Sequence, residues 1–258
     1  MKNSNNIYNM QKKIGIIPAR LNSVRVPRKA IVDIHGLPMC VHVYRRALMS
    51  EVLDEVVIAT DSIEVMNVAK AHGAKAVITK SSHVNGTERM AEVLETHDSD
   101  IAVLINGDEP LIDPDHIGVS VNTLIKSNAD ASMLARKFDK FDSPSDFKIV
   151  LNVAGDVMYI SRADIPSNAR NTIPYMLKAY HIMAFHKHTL EKYAAMTKTP
   201  MESLEDHEHL RLIENGYKIR AAVVESNCIS VDVPEDLEYV KSVIPGDPYW
   251  PKYKDNGL

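Results

Sequence analysis

Between Lys13 and Ser127, short apolar runs alternate four times with longer amphipathic stretches, and that order leaves few folds open. The apolar runs are Ile14–Ile17, Glu55–Thr60, Ala74–Thr79 and Asp100–Asn106. Helices are expected from Met39 to about Ser50, over Ile63–His72, from the end of SSHVNGTER to near His97, and from about Asp115 to Ser127. Pro38 suits a first helical turn. Asp61 and Ser62 are candidate N-caps, and Gly73 is a C-cap. Strands alternating with helices predict an α/β fold, a mostly parallel sheet with helices on both faces. Ligands of such sheets bind outside the carboxyl ends of the strands. That edge would collect Pro18–Lys29, Asp61 and Gly107–Glu109.

The second half changes character. Ala131–Phe138, Lys148–Asn152 and Val157–Ser161 read as strands, with a hairpin turn at Ala154-Gly155-Asp156. They suggest an antiparallel insertion. Arg162–Pro174 reads as a loop, Lys178–Phe185 as a strand and Lys187–Met196 as a helix. A single helix is expected over Ser203–Asn215, closed by Gly216, and then a strand over Ile219–Glu225. Asp232-Val233-Pro234-Glu235 opens the last helix, to about Val243. The expected organisation is one domain over 13–244 with an antiparallel lobe at about 131–215. Residues 1–12 read as a disordered leader and 245–258 as a surface-packed or loose tail.

The loop after the first apolar run carries Arg20, Arg25, Arg28 and Lys29, with Ser23 among them. Arg grips oxyanions in a bidentate fork and Lys adds a compact charge, so the loop suits a polyphosphate. The whole chain is mildly acidic, with a net charge of −4, which makes these cations local and gives no support to a nucleic acid or a membrane as partner. Cys40 and Cys228 have no metal-ligand spacing and fit buried thiols in a reducing compartment. The polar N-terminus has no signal-peptide core, so a cytoplasmic protein is expected.

Asp108 follows a buried strand and a glycine, which aims its carboxylate into the crevice. Gly-Asp-Glu-Pro is more than a turn requires. Asp232 ends another apolar strand, although D-V-P-E by itself has the form of a helix cap. One or two carboxylates beside a phosphate-binding loop suit Mg²⁺. His207 and His209, two apart on a helix, would face different ways. No HExxH, GxSxG, GxGxxG or P-loop pattern occurs. Phosphoryl or nucleotidyl transfer to an acidic acceptor, which needs positioning and charge neutralisation, fits better.

Several stretches resemble the 3-deoxy-manno-octulosonate (Kdo) cytidylyltransferases, the CMP-Kdo synthetases. IIPARLNSVRVPRKAIVDIHGLPM resembles their PAR-x-x-S-x-R-x-P-x-K loop and following G-x-P-M. VVIATD, NGTERMAEV, INGDEPLI, KIVLNVAGDVMYISRADIP and VDVPEDLE resemble further family motifs in the same order. The resemblance covers roughly residues 13–244. It implies a Rossmann-like nucleotidyltransferase fold with an antiparallel dimerisation insertion, a homodimer, and Mg²⁺. The implied reaction joins CTP and an acidic sugar, Kdo or a modified relative, into a CMP-sugar and pyrophosphate, for lipopolysaccharide or capsule. By matching position, Arg20, Ser23, Arg25 and Lys29 would hold CTP, with Pro18, Ala19, Thr60, Asp61, Gly86, Thr87, Arg89, Asn106 and Gly107 around it. Arg20, Arg25, Lys29 and Asp108 would carry the catalysis. Asp108 and Asp232 would hold the metal. Arg162, His181, Glu208 and His209 would face the acceptor.

Departures from the family pattern cluster in the acceptor pocket. The family's H-[IL]-G-[IV]-Y is here Ala179-Tyr180-His181-Ile182-Met183, and its E-Q-L-R is Glu208-His209-Leu210-Arg211. Asn106 replaces Gln before Gly-Asp-Glu-Pro, and Ser143 replaces a loop Asn. Changed hydrogen-bond partners change which acceptor a pocket rejects. Two other readings remain beside Kdo transfer: a cytidylyltransferase for another nonulosonate or a phosphonate, and a non-catalytic nucleotide-binding homologue. The retained Arg25, Lys29, Asp108 and Asp232 argue against the latter.

Overall fold

The run after Lys12 becomes the middle of a sheet. The computed structural model describes residues 11–255 except Asn22 and Val24. In it β1 (Lys13–Pro18) lies between β4 (Glu55–Thr60) and β6 (Ile101–Ile105), parallel to both. β5 (Ala76–Ile78) adds to β4, also parallel. Both faces of these strands are covered, which explains runs that are apolar throughout. Ile17, Ile58 and Val103 pack on one side, under α1 (Met39–Leu48), α2 (Ile63–Ala71) and α4 (Pro114–Lys126). Ile16, Val57 and Leu104 pack on the other, under α3 (Gly86–Val93) and α5 (Lys187–Ala195). Between β1 and α1, β2 (Asp33–Ile34) and β3 (Leu37–Pro38) make a small separate ribbon. The Ser62 side chain caps α2 by accepting from Val65 N.

The stretch 131–215 divides. β7 (Ala131–Phe138) and β10 (Met176–His186) belong to the main sheet, where β10 runs antiparallel between β6 and β7. β11 (Ile219–Val223) lies beyond β7, parallel to it. The order is therefore β11-β7-β10-β6-β1-β4-β5, with β10 alone reversed among these seven. β8 (Lys148–Leu151) and β9 (Val157–Ser161) form an antiparallel ribbon attached to β10 at Leu177 and Lys178.

The single helix expected over Ser203–Asn215 is two: α6 (Pro200–Glu205) and α7 (Leu210–Glu214). The break is at Asp206, whose φ of 53° is left-handed. Arg211 reaches back from α7 to Glu202 of α6, 2.6 Å away, and this buried ion pair folds one short helix against the other. In α8 (Pro234–Val243), Asp236 accepts from the main-chain N–H groups of Asp232 and Val233. Asp232 is thus not the cap, and its carboxylate is left for other partners.

The tail is packed. α9 (Trp250–Tyr253) brings Tyr253 into the core below α1, where its hydroxyl lies 3.0 Å from His42 Nδ1. Arg46, fully buried, pairs with Asp247 at 2.6 Å and donates to the Ile112 carbonyl at 3.0 Å. Cys40 and Cys228 are both free and buried, and burial pushes the Cys40 thiol up to about 12. Among the described residues no helix is long and apolar enough to cross a membrane. Residues 1–10 of the expected leader lie outside the described residues.

Candidate active site

β1 and β6 are neighbours, so the loops leaving their carboxyl ends start side by side. At Gly107 the two backbones touch: a Cβ there would lie 2.6 Å from Pro18 O. Only glycine permits that approach. It brings Asp108 to the basic loop, where Lys29 Nζ donates to Asp108 Oδ2 at 2.6 Å. The same ammonium lies 3.5 Å from Asp232 Oδ1, which also accepts from Arg25 Nη2 at 3.0 Å. Val231 N donates to Asp108 O at 2.9 Å, which fixes the segment before α8 against this loop. Lys29, Asp108 and Asp232, read separately from sequence, thus share one charge cluster.

Two adjoining cavities open on this cluster, of about 420 and about 860 Å³. They share Val84, Asn85, Leu104, Asn106, Asp108 and Glu208. The smaller is lined by Pro18, Ala19, Arg20, Ser23, Lys29, Gly86 and Gly107, all expected around a nucleotide. Arg20 is held at its mouth by donating to the His83 carbonyl at 3.1 Å. A Cβ on Gly86 would lie a tight 3.2 Å from Pro18 Cγ, so a side chain there would press on the proline ring.

Other expected residues lie elsewhere. Arg89 is fully buried and donates to Thr79 Oγ1 and, at 3.1 Å, to Asp61 Oδ2. Thr60 Oγ1 accepts from Ser62 N at 3.1 Å. Thr60, Asp61 and Arg89 line neither cavity and tie β4, β5 and α3 together. Thr87 is buried and turns to the acceptor side, donating to Glu208 Oε1 at 2.8 Å with His209 Nε2 3.1 Å away. Arg162 lines neither cavity. It donates to the Glu205 and Pro144 carbonyls and to Asp206, and so pins the end of α6. His181 sits in β10, and its side chain lies outside the described residues.

The larger cavity takes Glu208 and His209, expected toward the acceptor, together with Asp232, expected on the metal, and Arg25, which was expected on CTP and does not line the smaller cavity. His207 joins them. Because Asp206–His209 is not helical, the two imidazoles do not face apart: their centroids are 5.1 Å apart, and the His207 ring packs edge-on to Phe147 at 4.4 Å. Sequence reasoning missed Asn85, which caps α3 by accepting from Glu88 N and donates to Tyr193 Oη at 2.9 Å. An Asn before Gly-Thr-Glu was the available signal. It also missed Arg136 and Lys178, cations inside β7 and β10. Charge partners tune this wall. Burial acts to raise the Asp146 carboxyl, but hydrogen bonds from Lys178 and Ser143 outweigh it and hold the group below the usual carboxylate range. Burial pushes the Tyr193 hydroxyl up, and the Glu208 charge adds to this.

The cluster suits a hard cation. Asp108 and Asp232 offer oxygen alone, and one ammonium reaches both. Among the described residues no group of three or more His, Cys, Asp or Glu gathers for a metal. Mg²⁺ is commonly bound by one or two carboxylates plus phosphates and water.

With this geometry in view, comparison with known proteins is specific. A family model described as Cytidylyltransferase matches residues 14–219. The 3-deoxy-manno-octulosonate cytidylyltransferase of Chlorobium limicola is 35% identical over 236 residues, covering 89% of this chain and 96% of the relative. That of a Nitratiruptor species is 38% identical over 236 residues, covering 88% and 98%. A solved structure of CMP:2-keto-3-deoxy-manno-octonic acid synthetase complexed with CTP superposes with a TM-score of 0.87 at 33% identity, covering 91% of this chain and 99% of that one.

Proposed function

The chain belongs to the 3-deoxy-manno-octulosonate cytidylyltransferase family, and on that premise we propose that it transfers CMP from CTP to an acidic 2-keto sugar, Kdo or a modified relative, and releases pyrophosphate. The observation that carries the reading is Lys29 bridging Asp108 and Asp232 where the two cavities meet. The smaller cavity takes CTP, with Arg20, Ser23 and Lys29 toward its phosphates. The larger takes the acceptor, with Glu208 and His209 toward its hydroxyls.

Asp108 and Asp232 would hold Mg²⁺, which when bound withdraws charge from the phosphates. The chain's own part is positional and electrostatic. Asn85, Asp108 and Glu208 line both cavities, so they flank the path from acceptor hydroxyl to α-phosphorus. The hydroxyl attacks, loses its proton, and the bond to pyrophosphate breaks. Arg20, Arg25 and Lys29 stabilise the charge that builds on the phosphoryl oxygens. Exposed apolar side chains at Val153 and Met158, around the β8–β9 ribbon, and at Tyr175 support a homodimer through this region. The product would serve lipopolysaccharide or capsule synthesis.

The test is pyrophosphate release from CTP and Mg²⁺ with a panel of sugar acids. Release that requires both an acceptor and the metal is expected. No release with any acceptor, together with no CTP binding, would refute the reading.

A further inference from the structure

The first turn of α3 reaches across to the segment that carries Glu208 and His209. Asn85, its cap, donates from Nδ2 to Tyr193 Oη at 2.9 Å, and that hydroxyl donates to the Glu208 carbonyl at 3.3 Å. Thr87 Oγ1 donates to Glu208 Oε1 at 2.8 Å and lies 3.1 Å from His209 Nε2. Glu88 Oε1 meets Arg211 Nη1 at 3.1 Å. One turn thus holds the main chain of Glu208, its carboxylate and the arginine that follows. Gly86 of the same turn lines the smaller cavity and Asn85 lines both, whereas Thr87 and Glu88 line neither.

Bond directions at Thr87 are fixed by its single hydroxyl proton. An ionised carboxylate only accepts, so that proton goes to Glu208. The same oxygen then accepts from His209, whose Nε2 therefore carries a proton whatever the charge on the ring. Thr87 is fully buried and His209 nearly so, which shields both bonds from solvent. His209 Nε2 and Glu208 Oε1 are themselves 3.5 Å apart. Without the hydroxyl between them, the imidazole would donate to the carboxylate directly, and each would lose its direction toward the cavity. One oxygen therefore keeps apart the two side chains placed toward the acceptor's hydroxyls.

We propose that Thr87 is a positioning residue for the acceptor, acting through Glu208 and His209 without touching either substrate. The inference rests on the cytidylyl transfer proposed above. The family resemblance puts Thr87 around CTP, and its contacts put it behind the acceptor instead. An acceptor hydroxyl is recognised by partners of fixed direction, and a pair that has closed on itself leaves that hydroxyl unpaired. CTP in the smaller cavity would meet Gly86 and Asn85 of the turn and has no need of the Thr87 hydroxyl.

The full-length protein is assayed for pyrophosphate release with CTP, Mg²⁺ and a 2-keto octulosonic acid, or whichever acid of the panel above is turned over. Thr87→Val keeps the shape and removes the hydroxyl, whereas Thr87→Ser keeps the hydroxyl and removes a methyl. A packing role makes Ser the worse variant, and the positioning role makes Val the worse. In Thr87→Val the acceptor KM should rise at least tenfold, while calorimetric CTP affinity without acceptor stays within twofold. In Thr87→Ser the KM should stay within threefold of the unmodified protein. If Thr87→Val does not fold, Ser against Thr87→Ala makes the same comparison, because those two differ by the hydroxyl alone. An unchanged acceptor KM without the hydroxyl, a Ser variant as impaired as Val or Ala, or a loss of CTP affinity equal to the rise in KM overturns this inference alone. Unmodified protein that neither binds CTP nor releases pyrophosphate overturns the transferase reading and this inference with it.

Discussion

Lys29 and Asp108 are 79 residues apart in the chain, and their side chains meet at 2.6 Å. The contact depends on two separate local features: a loop that leaves β1 with its cations, and a glycine that lets the loop after β6 touch it. Asp232 completes the group 3.5 Å from the same ammonium. Arg25 also reaches Asp232, at 3.0 Å, so two cations and two carboxylates meet at the strand ends, where the proposed function puts a divalent cation and a triphosphate.

Asp108→Asn keeps the shape of that group and removes the charge. Pyrophosphate release with CTP and acceptor should fall at least a hundredfold, on the order of losing a main electrostatic contact at a reacting phosphate. The thermal midpoint should move by no more than a few degrees, because the residue is partly exposed. Near-normal turnover would remove Asp108 from the metal site.

Two glycines separate close approach from mere flexibility. Gly107→Ala puts a Cβ 2.6 Å from a backbone oxygen that cannot swing away, so it should cost about 1–3 kcal/mol and lower kcat/KM as well. At Gly118, in α4, the nearest atom is Val52 Cγ1 at an ordinary 3.7 Å. Gly118→Ala should stabilise by about 0.5–1 kcal/mol through helix propensity, with activity unchanged. Urea unfolding of both variants checks the contrast.

What could be read before the structure was local. The strands at Glu55–Thr60, Ala131–Phe138 and Val157–Ser161 match their expected bounds, because burial on both faces or a clear hairpin signal marks them. That Lys29 and Asp108 would meet at the sheet edge was legible because residue type and strand-end position coincide, whereas Asp232 joined them only through the family resemblance. Non-local choices were not. Nothing in Met176–His186 says that it enters between β6 and β7, since an apolar strand pairs in either direction. Ser203–Asn215 has helical spacing throughout, and the break at Asp206 follows from Arg211 reaching Glu202. The cap at Asp232 failed for a similar reason: Asp236, four residues on, is the better placed acceptor. The proline-rich tail read only as surface-packed or loose because its anchors, His42 and Arg46, lie some two hundred residues earlier.

Breaking the pair behind the acceptor wall should separate its two roles. Arg211 meets Glu202 through two hydrogen bonds, at 2.8 and 2.6 Å, and each residue is only 3% exposed. Arg211→Met would leave the buried Glu202 carboxylate without its cation, at a cost of about 3–5 kcal/mol. Adding Glu202→Met removes that carboxylate too and should recover much of the loss. In both variants the acceptor KM should rise, because the pair sets the Asp206–His209 break that carries Glu208 and His209. CTP affinity should change little. Calorimetric CTP titration beside acceptor kinetics tests the split.

The tail makes stability depend on pH through one imidazole. His42 Nε2 lies 2.8 Å from the Ile34 carbonyl and so carries the proton, while Nδ1 accepts from the Tyr253 hydroxyl at 3.0 Å. The neutral ring is thereby satisfied. Burial, helped by the charges on Arg46 and Arg45, pulls its pKa down to about 4. The unfolded chain protonates near the ordinary 6.5 and so binds more protons than the folded one between those values. Stability is full above about 6.5 and is lost as pH falls toward 4, by about 3 kcal/mol at the bottom of the window. Trp250, the single tryptophan, stacks on His42 with centroids 5.4 Å apart, so its fluorescence reports the event directly. Urea unfolding followed at Trp250 should show this loss between pH 7 and pH 4.5. His42→Gln should be less stable at pH 7 yet lose less on acidification, and an unchanged pH slope in that variant would show that another group is responsible.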